Sequence, residues 1–277
     1  MTAMSLGPVR SGAPDMCSIA VTGTGFPAPR GGGDASEAGV TWQIPEETAV
    51  AFEYNGRSHA VMMATPADLE DFALGFSLAE EIVGSAADIE SVTVRETPLG
   101  MVVNMAVDPL RLLRGSLRSR SMEGRSGCGL CGVDSLVHAV REPRRVTSEL
   151  VVEPAAVAAA FRALPDHQPM NRANRSVHGA AWCAPDGTIR LAREDVGRHN
   201  ALDKLIGAVA SSGTDPAAGF VVMTSRCSFE LVQKSAAVGI PLLATISAPT
   251  ALALELARNA GLTLGSLSRT DGVVLFR

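Results

Sequence analysis

Residues 219–246 read GFVVMTSRCSFELVQKSAAVGIPLLATI, and this stretch decides the fold class. Two short apolar runs, 219–224 and 240–246, enclose a helix-like segment over 226–238. The apolar runs are continuous rather than alternating, which is typical of strands that are buried on both faces of a sheet. The stretch therefore predicts a strand–helix–strand unit of a parallel sheet.

Similar elements are predicted on both sides of this stretch. Strand-like and helix-like runs alternate from residue 154 onward, and Gly261 lies where a helix would end. The order β-β-α-β-α-β-α-β that follows the first helix favours an α/β domain with three layers and a largely parallel inner sheet. The other predicted elements are helices over 154–164, 198–210 and 249–260, and strands over 177–183, 188–192, 262–267 and 273–276.

A smaller α+β unit is predicted ahead of this domain. Asn55-Gly56 lies between two strand-like runs, which is the strongest short signal of a β-hairpin. Thr65-Pro66-Ala67-Asp68 predicts the start of a helix, with Thr65 as its cap, and Gly84 predicts its end. The strand-like runs of this unit are 48–54, 57–63, 89–95 and 100–107.

These patterns divide the chain into four regions. Residues 1–42 are rich in Gly, Pro, Ser and Ala and predict a mobile, disordered tail that contains Cys17. Residues 43–108 are the small α+β domain. Residues 109–135 are a basic linker and a loop with two cysteines, and residues 136–277 are the α/β domain.

Length and composition exclude several classes of protein. The chain has 277 residues, 46% of them apolar, so it is not a wholly disordered protein. Its net charge of −5 argues against a general nucleic-acid binder. We recognise no secretory signal and no run of roughly 18 apolar residues, and therefore expect a cytoplasmic protein without membrane contact. An odd count of five cysteines indicates that the chain is not a disulfide scaffold.

The most distinctive chemical motif is Cys128-Gly129-Leu130-Cys131. A CxxC motif can be half of a zinc site, a dithiol redox pair, or a reactive thiol with a helper. No second CxxC and no HxxxH motif supplies the two further ligands of a zinc site, although Cys183, Cys227 and His178 could be recruited from a distance.

The residues around the motif favour a reactive thiol on an exposed loop. Glycines at 127, 129 and 132 predict a mobile backbone. Arg118, Arg120 and Arg125 lie upstream, and their positive charge would lower the pKa of a nearby thiol.

Polar residues also gather where helices of the α/β domain are predicted to begin. Glu194, Asp195, Arg198 and His199 are explained either as capping carboxylates with an ordinary surface pair, or as an anion site at a helix N-terminus. His178, in the preceding strand, either faces the same pocket or is a core histidine.

Three segments at predicted strand ends suggest a cleft. Residues 224–228 (TSRCS) and 247–250 (SAPT) each run from a strand into a helix. Each alone is explained by N-capping, but two at adjacent strand ends predict a binding cleft. Residues 267–272 are either a hairpin turn, or a ligand loop in which Arg269 meets phosphate and Asp271 accepts from a base edge.

From about residue 43 to its end, the chain closely resembles the FdhD/NarQ family of formate dehydrogenase accessory sulfurtransferases. The segments that carry the resemblance are YNGRSHAVMMATPADLEDFALGFSLAE, GRSGCGLCGVDSL, EDVGRHNALDKLIG, SRCSFELVQKSA and SAPTALALELARNAGLTL. Several long matches in the same order are far more specific than a single CxxC motif.

The resemblance implies a sulfur carrier. Members of the family accept sulfur from a cysteine desulfurase as a persulfide, and pass it to the molybdenum bis(molybdopterin guanine dinucleotide) cofactor before that cofactor enters formate dehydrogenase. The persulfide cysteine of the family falls on Cys128, and the supporting cysteine on Cys131. The guanine-nucleotide loop of the family falls on Leu267, Ser268, Arg269, Thr270, Asp271 and Gly272.

The resemblance also implies a cytidine-deaminase-like fold, joined to a smaller α+β domain, and a homodimer. The HxE and PCxxC zinc signature of the deaminases is missing, since Gly179 and Ala180 follow His178. We therefore expect neither deaminase activity nor a tightly bound metal. Two other interpretations stay open: a dithiol oxidoreductase that cycles Cys128 and Cys131, and a non-catalytic chaperone of the cofactor.

Overall fold

The computed structural model describes residues 17–25, 38–112, 142–268 and 272–277. Its strands are β1 Ser18–Gly25, β2 Ala38–Pro45, β3 Thr48–Tyr54, β4 Arg57–Ala64, β5 Ile89–Thr97, β6 Gly100–Val107, β7 His178–Cys183, β8 Ile189–Asp195, β9 Phe220–Met223, β10 Leu242–Thr245, β11 Thr263–Ser268 and β12 Gly272–Phe276. Its helices are α1 Leu69–Ala79, α2 Pro154–Ala163, α3 Pro169–Asn174, α4 Arg198–Ser211, α5 Phe229–Ala237 and α6 Ala251–Ala260.

Strands β1 and β2 form an antiparallel pair that lies against α3. Cys17, directly before β1, is buried in a small apolar cluster with Met170 and Val177. Trp42 Nε1 donates a hydrogen bond of 3.4 Å to the carbonyl oxygen of Asn174. The prediction of a disordered tail over 1–42 is therefore wrong for the described part of that range. The prediction was based on the high overall content of Gly, Pro and Ser, and it gave too little weight to the β-branched and aromatic residues that form the two strands.

The four-stranded sheet, in the order β4-β3-β6-β5, confirms the predicted hairpin. Asn55 and Gly56 both have positive φ, 51° and 75°, as a tight two-residue hairpin turn requires. The Asn55 side chain also exchanges two hydrogen bonds with the backbone of Val107, of 2.8 and 2.9 Å. The turn is thereby fixed to the end of β6.

Helix α1 covers one face of this sheet, but its bounds differ from the prediction. It begins at Leu69 rather than near Thr65, because the backbone of Thr65 is engaged by the other domain and Asp68 has a φ of 53°. It ends at Ala79 rather than at Gly84. Phe72 and Phe76 of α1 pack against Phe52 of β3, with ring centroids 4.9 and 5.1 Å apart.

The six-stranded sheet has the order β12-β11-β10-β9-β7-β8, with helices on both faces. Helices α4, α5 and α6 pack on one face and α2 on the other, which confirms the predicted three-layer α/β arrangement. A cytidine-deaminase-like arrangement stays a prediction.

The sheet is mixed rather than largely parallel. Only β9, β10 and β11 run parallel, while β7, β8 and β12 pair antiparallel with their neighbours. Helical crossovers join the three parallel strands. The chain between β7 and β8 and between β11 and β12 is too short for a crossover, so those pairs are antiparallel.

The two sheets are joined by α1 and α4, whose backbones approach closely. A Cβ atom on Gly75 of α1 would collide with the carbonyl oxygen of Asp203, and a Cβ atom on Gly207 of α4 would collide with the carbonyl oxygen of Asp71. A backbone carbonyl cannot rotate away as a side chain can. Glycine is therefore required at both positions.

We predict that Gly75→Ala lowers the free energy of unfolding by about 1–3 kcal/mol, because the added methyl group overpacks the helix contact. Chemical denaturation of the full chain measures this. Gly84→Ala is the matched control, since the nearest heavy atom to its Cβ would be 3.5 Å away. Equal stability of the two variants would contradict the contact.

Candidate functional site

The carboxyl ends of the three parallel strands lie at one edge of the six-stranded sheet. Met223 of β9 and Ser266 of β11 both pair with Thr245 of β10, so the residues that follow these strands emerge side by side. They are residues 224–228, residues 247–250 and the end of β11. We call this edge the carboxyl edge. It is where open α/β sheets bind ligands.

Antiparallel β7 adds His178 to the same edge, because β7 begins where β9 ends. Thr224 donates its backbone N–H to the Gly179 carbonyl over 3.0 Å, and its hydroxyl oxygen accepts from the Gly179 N–H over 2.8 Å. His178 also pairs with Asp195 at the end of β8, so the start of α4 reaches this edge. Burial lowers the pKa of His178, and Arg198 lowers it further.

Asp195 lies in a buried group of polar contacts between the two domains. We call this group, formed by Asp195, Lys204 and Thr65, the interdomain clasp. Asp195 Oδ2 lies 2.7 Å from Lys204 Nζ and accepts the Thr65 N–H over 3.0 Å. Its Oδ1 accepts from Gly197 N–H and the Asn200 side chain, over 2.7 and 2.9 Å. Neither Asp195 nor Lys204 has any exposed side-chain surface.

Lys204 completes the clasp from the opposite side. Its Nζ donates to the carbonyl oxygen of Thr65 over 2.9 Å, and lies 5.7 Å from the centre of the Phe72 ring. The Thr65 hydroxyl oxygen accepts the Val196 N–H over 3.1 Å. Thr65 therefore binds the α/β domain through its N–H, its carbonyl and its hydroxyl, instead of capping α1.

Glu194 is also used for structure. Its two carboxylate oxygens accept the backbone N–H groups of Met170 and Asn171, both over 2.8 Å, at the start of α3. Of the four polar residues that the sequence placed at the start of α4, the two carboxylates thus bind backbone. Glu194 therefore binds the start of α3 and does not cap α4, while Asp195 binds the N–H of Gly197, directly before α4, without capping the helix itself.

A second buried lysine lies beside the first. Lys234 of α5 contacts both carboxylate oxygens of Asp203 at 2.9 Å and Glu80 Oε1 at 3.1 Å, and stands 5.3 Å from the centre of the Phe76 ring. Burial alone would lower the pKa of Lys234, but Asp203 and Glu80 raise it by more. This cluster connects the C-terminal end of α1 with α4 and α5.

His199 and Glu230 face each other at the starts of α4 and α5. His199 Nε2 lies 4.0 Å from Glu230 Oε2, and both atoms are buried without a hydrogen-bond partner. Burial lowers the pKa of His199 to about 3, and the positive charges of Arg198 and Lys234 contribute. The imidazole is therefore neutral at physiological pH, so the two groups are not an ion pair.

The three cysteines of the described chain have no reactive character. Cys17, Cys183 and Cys227 are all completely buried. Burial raises the pKa of both Cys183 and Cys227 to about 12. Cys183 also lies at the opposite end of β7 from His178, which argues against their joining a common zinc site. Among residues 17–25, 38–112, 142–268 and 272–277, no group of three or more His, Cys, Asp or Glu could hold a metal ion.

Part of the predicted site lies outside the described residues. This holds for Cys128 and Cys131, and for Arg269, Thr270 and Asp271. Leu267 and Ser268 continue β11 beyond the carboxyl edge, where they pair with Val273 and Gly272. The described ends of the predicted nucleotide loop therefore lie at the same edge as His199 and Glu230.

Comparison with known proteins gives the family. The model of the FdhD/NarQ family matches residues 45–277. The chain belongs to the FdhD/NarQ family. It is 49% identical over 235 residues to a protein of Chromobacterium violaceum named sulfur carrier protein FdhD, covering 84% of this chain and 87% of that protein. A protein of the same name from Cupriavidus necator is 48% identical over 234 residues, covering 84% and 81% of the two chains.

The fold of this FdhD/NarQ protein also has a solved counterpart. A crystal structure described as a formate dehydrogenase accessory protein from Desulfotalea psychrophila superposes with a TM-score of 0.72. The match covers 94% of this chain and 97% of the other, at 24% identity. Strands β1 and most of β2 lie outside the residues that the family model matches.

The sequence analysis missed the two lysines of this FdhD/NarQ protein. Its 24 basic residues include only two lysines, Lys204 and Lys234, and both are buried. The sequence did indicate that Lys204 is unusual, since it interrupts the apolar face that Ala201, Leu202 and Leu205 predict for α4.

Among the described residues of the chain, the structure contains no helix with the length and apolar composition that a membrane span requires.

We predict that Lys204→Met lowers the free energy of unfolding by about 3–5 kcal/mol, because it leaves the buried Asp195 carboxylate without its counter-charge. Urea denaturation measures the change. Arg258→Met on the exposed surface of α6 is the control, and is expected to be within about 0.5 kcal/mol of the unmodified chain. A loss no larger than that of the control would contradict the role of the clasp.

Proposed function

We propose that this chain is a sulfur carrier that acts as a sulfurtransferase. Cys128 takes sulfur from a cysteine desulfurase as a persulfide and transfers it to the molybdenum bis(molybdopterin guanine dinucleotide) cofactor. The loaded cofactor then enters formate dehydrogenase. In this proposal the cofactor is cargo, and Cys131 assists Cys128.

The proposal rests on the burial of the cysteines, which leaves only two of the five as candidates. Cys17, Cys183 and Cys227 are buried, so only Cys128 and Cys131 are left to carry sulfur. Both lie within the residues that the family model matches. Relatives that are nearly half identical to this chain are named as sulfur carriers.

The uptake of sulfur by Cys128 from the donor persulfide needs no oxidant or reductant. The Cys128 thiolate attacks the outer sulfur of the donor persulfide, the donor S–S bond breaks, and the donor cysteine leaves as a thiolate. A new S–S bond then holds the sulfur on Cys128. A lowered thiol pKa favours this step, and Arg118, Arg120 and Arg125 precede the motif in the sequence.

The carboxyl edge supports a site for the cargo. Helices α4 and α5 begin there, and neither has a side-chain cap hydrogen bond. The N-terminus of a helix is a favourable position for an anionic group. The predicted nucleotide loop, Leu267–Gly272, continues from β11 at the same edge. We propose that this loop contacts the guanine nucleotide, and that the chain acts as a homodimer.

The persulfide can be tested by intact mass measurement after incubation with a cysteine desulfurase and cysteine. We predict that the full chain gains the mass of one sulfur atom, mapped to Cys128, and that Cys128→Ala gains none. Cys183→Ala is the matched control and is expected to gain the sulfur normally, since its thiol is buried. An adduct that persists in Cys128→Ala would contradict the assignment.

The function in cells can be tested by formate dehydrogenase activity. We predict that cells in which Cys128→Ala is the sole copy lack this activity, although the variant accumulates as a folded protein. Full activity of that variant would overturn the proposal, and activity that survives the loss of both Cys128 and Cys131 would favour a non-catalytic chaperone. A stable Cys128–Cys131 disulfide without sulfur transfer would favour a dithiol oxidoreductase.

A further inference from the structure

Strands β1 and β2 form a two-stranded ribbon, and one face of this ribbon is apolar and exposed. Ile19 pairs with Ile44 and Val21 pairs with Trp42, so the four side chains lie on the same face. Their exposed fractions are 52%, 39%, 44% and 48% in that order. They account for four of the nine large apolar side chains that the described residues expose. We call these four side chains the ribbon face.

The ribbon is held to the rest of the molecule at its base. Cys17 is completely buried, and its carbonyl oxygen accepts the Glu46 N–H over 2.8 Å. The Asn174 side chain donates to the Ser18 hydroxyl over 3.1 Å, and the Asn174 carbonyl oxygen accepts from Trp42 Nε1 over 3.4 Å. The ribbon face is therefore presented to solvent in a fixed orientation. A contiguous apolar surface of this kind marks a place where another molecule binds.

The absence of charge on the ribbon indicates the chemistry of the molecule that covers it. None of the eight residues of β1 or the eight residues of β2 is charged, although charged residues make up 19% of the chain. Exposed strands normally carry charged side chains that prevent association with other strands. The ribbon lacks this protection and offers no charge to a charged partner. Its complement is therefore another uncharged apolar surface.

A second copy of the chain presents such a surface in the ribbon face itself. In a two-fold dimer the same patch of both subunits meets, so a single contact buries both ribbon faces. Two ribbons packed face to face form a four-stranded sandwich, with the usual separation of about 10 Å between packed sheets. An isolated two-stranded ribbon is marginally stable in water, whereas this arrangement gives it a hydrophobic layer.

We infer that the ribbon face is a self-association surface, through which two copies of the chain pack across a two-fold axis. The inference goes beyond the proposed function, because it assigns the contact between the subunits to a particular surface. That surface comes from β1 and from β2, most of which lies outside the residues that the family model matches. It does not depend on sulfur transfer.

Trp42 reports directly on this contact. The chain has two tryptophans, and the other one, Trp182, is buried. Sedimentation equilibrium measures the mass of the full chain over a range of concentrations, and tryptophan emission is followed over the same range. We expect a dimer that dissociates on dilution, with a red shift of the emission at the same concentrations, because the Trp42 ring then moves from an apolar interface into water.

Val21→Thr combined with Ile44→Thr makes the ribbon face more polar and keeps β-branched side chains, which favour strands. We expect the dissociation constant of the dimer to rise at least about tenfold, since each substitution occurs in both subunits. Ala20→Thr, on the opposite face of β1, is the matched control for the ribbon itself. Val94→Thr in β5 is the control for an exposed valine elsewhere. Both controls are expected to dimerise like the unmodified chain.

Three results would overturn the inference. The first is a monomer at every concentration, and the second is a dimer that the double variant does not weaken, which would assign the contact to another surface. The third is a blue-shifted Trp42 emission that does not change on dilution, which would mean that the chain covers its own ribbon face. Binding of the monomer to phosphatidylcholine vesicles with such a blue shift would likewise assign the face to lipid and reject self-association.

The persulfide on Cys128 is measured on the same preparations. A persulfide on a chain that stays monomeric rejects the ribbon contact and leaves sulfur transfer intact. A dimer that the double variant weakens, but that gains no sulfur, supports the ribbon contact and rejects sulfur transfer. The two failures are thereby distinguished.

Discussion

The rest of the molecule depends on the two contacts that the Lys204 ammonium group makes. It lies between the Asp195 carboxylate of the α/β domain and the Thr65 carbonyl of the N-terminal domain, with no exposed surface. A buried charge is strongly unfavourable unless it is paired and hydrogen-bonded, so the two domains must keep one relative position for the pair to exist. The absence of side chains at Gly75 and Gly207 allows the helices to come close enough for this contact.

This constraint also determines the position of the carboxyl edge. Asp195 ends β8, Gly197 precedes α4, and the Asp195 carboxylate binds the Gly197 N–H. The first turn of α4 is therefore held by the same contact that joins the domains. His199 lies in that turn, so its place opposite Glu230 is a consequence of the domain interface.

Local sequence patterns were sufficient for most of the fold. The Asn55-Gly56 hairpin, the three layers of the α/β domain and its helices other than α3 follow from short-range preferences and apolar periodicity. The mixed direction of the sheet, the late start of α1 and the strands near the N-terminus did not. The mixed direction of the sheet follows from short connections, whose effect on strand direction apolar periodicity does not report. The late start of α1 depends on distant partners: the Thr65 N–H donates to Asp195 and the Thr65 carbonyl accepts from Lys204, 130 and 139 positions along the chain.

The candidate site was predictable in position but not in detail. Strand ends followed by polar residues indicated the carboxyl edge, because their order alone defines it. The same reasoning could not separate Asp195 from His199, since four polar residues near a helix start look equivalent in sequence. The structure separates them by hydrogen bonding: Glu194 and Asp195 are satisfied by backbone groups, and His199 is not.

The buried polar side chains of the molecule are therefore of two kinds. Asp195, Lys204 and Lys234 have their partners within the chain, on both sides of the domain interface. Nε2 of His199 and Oε2 of Glu230, at the starts of α4 and α5, have no hydrogen-bond partner in the described chain. Sequences that fold well satisfy their buried polar groups, and they depart from this rule mainly at functional sites. The fully hydrogen-bonded contacts of Asp195 and Lys204 thus provide rigid support for the start of α4 at the carboxyl edge.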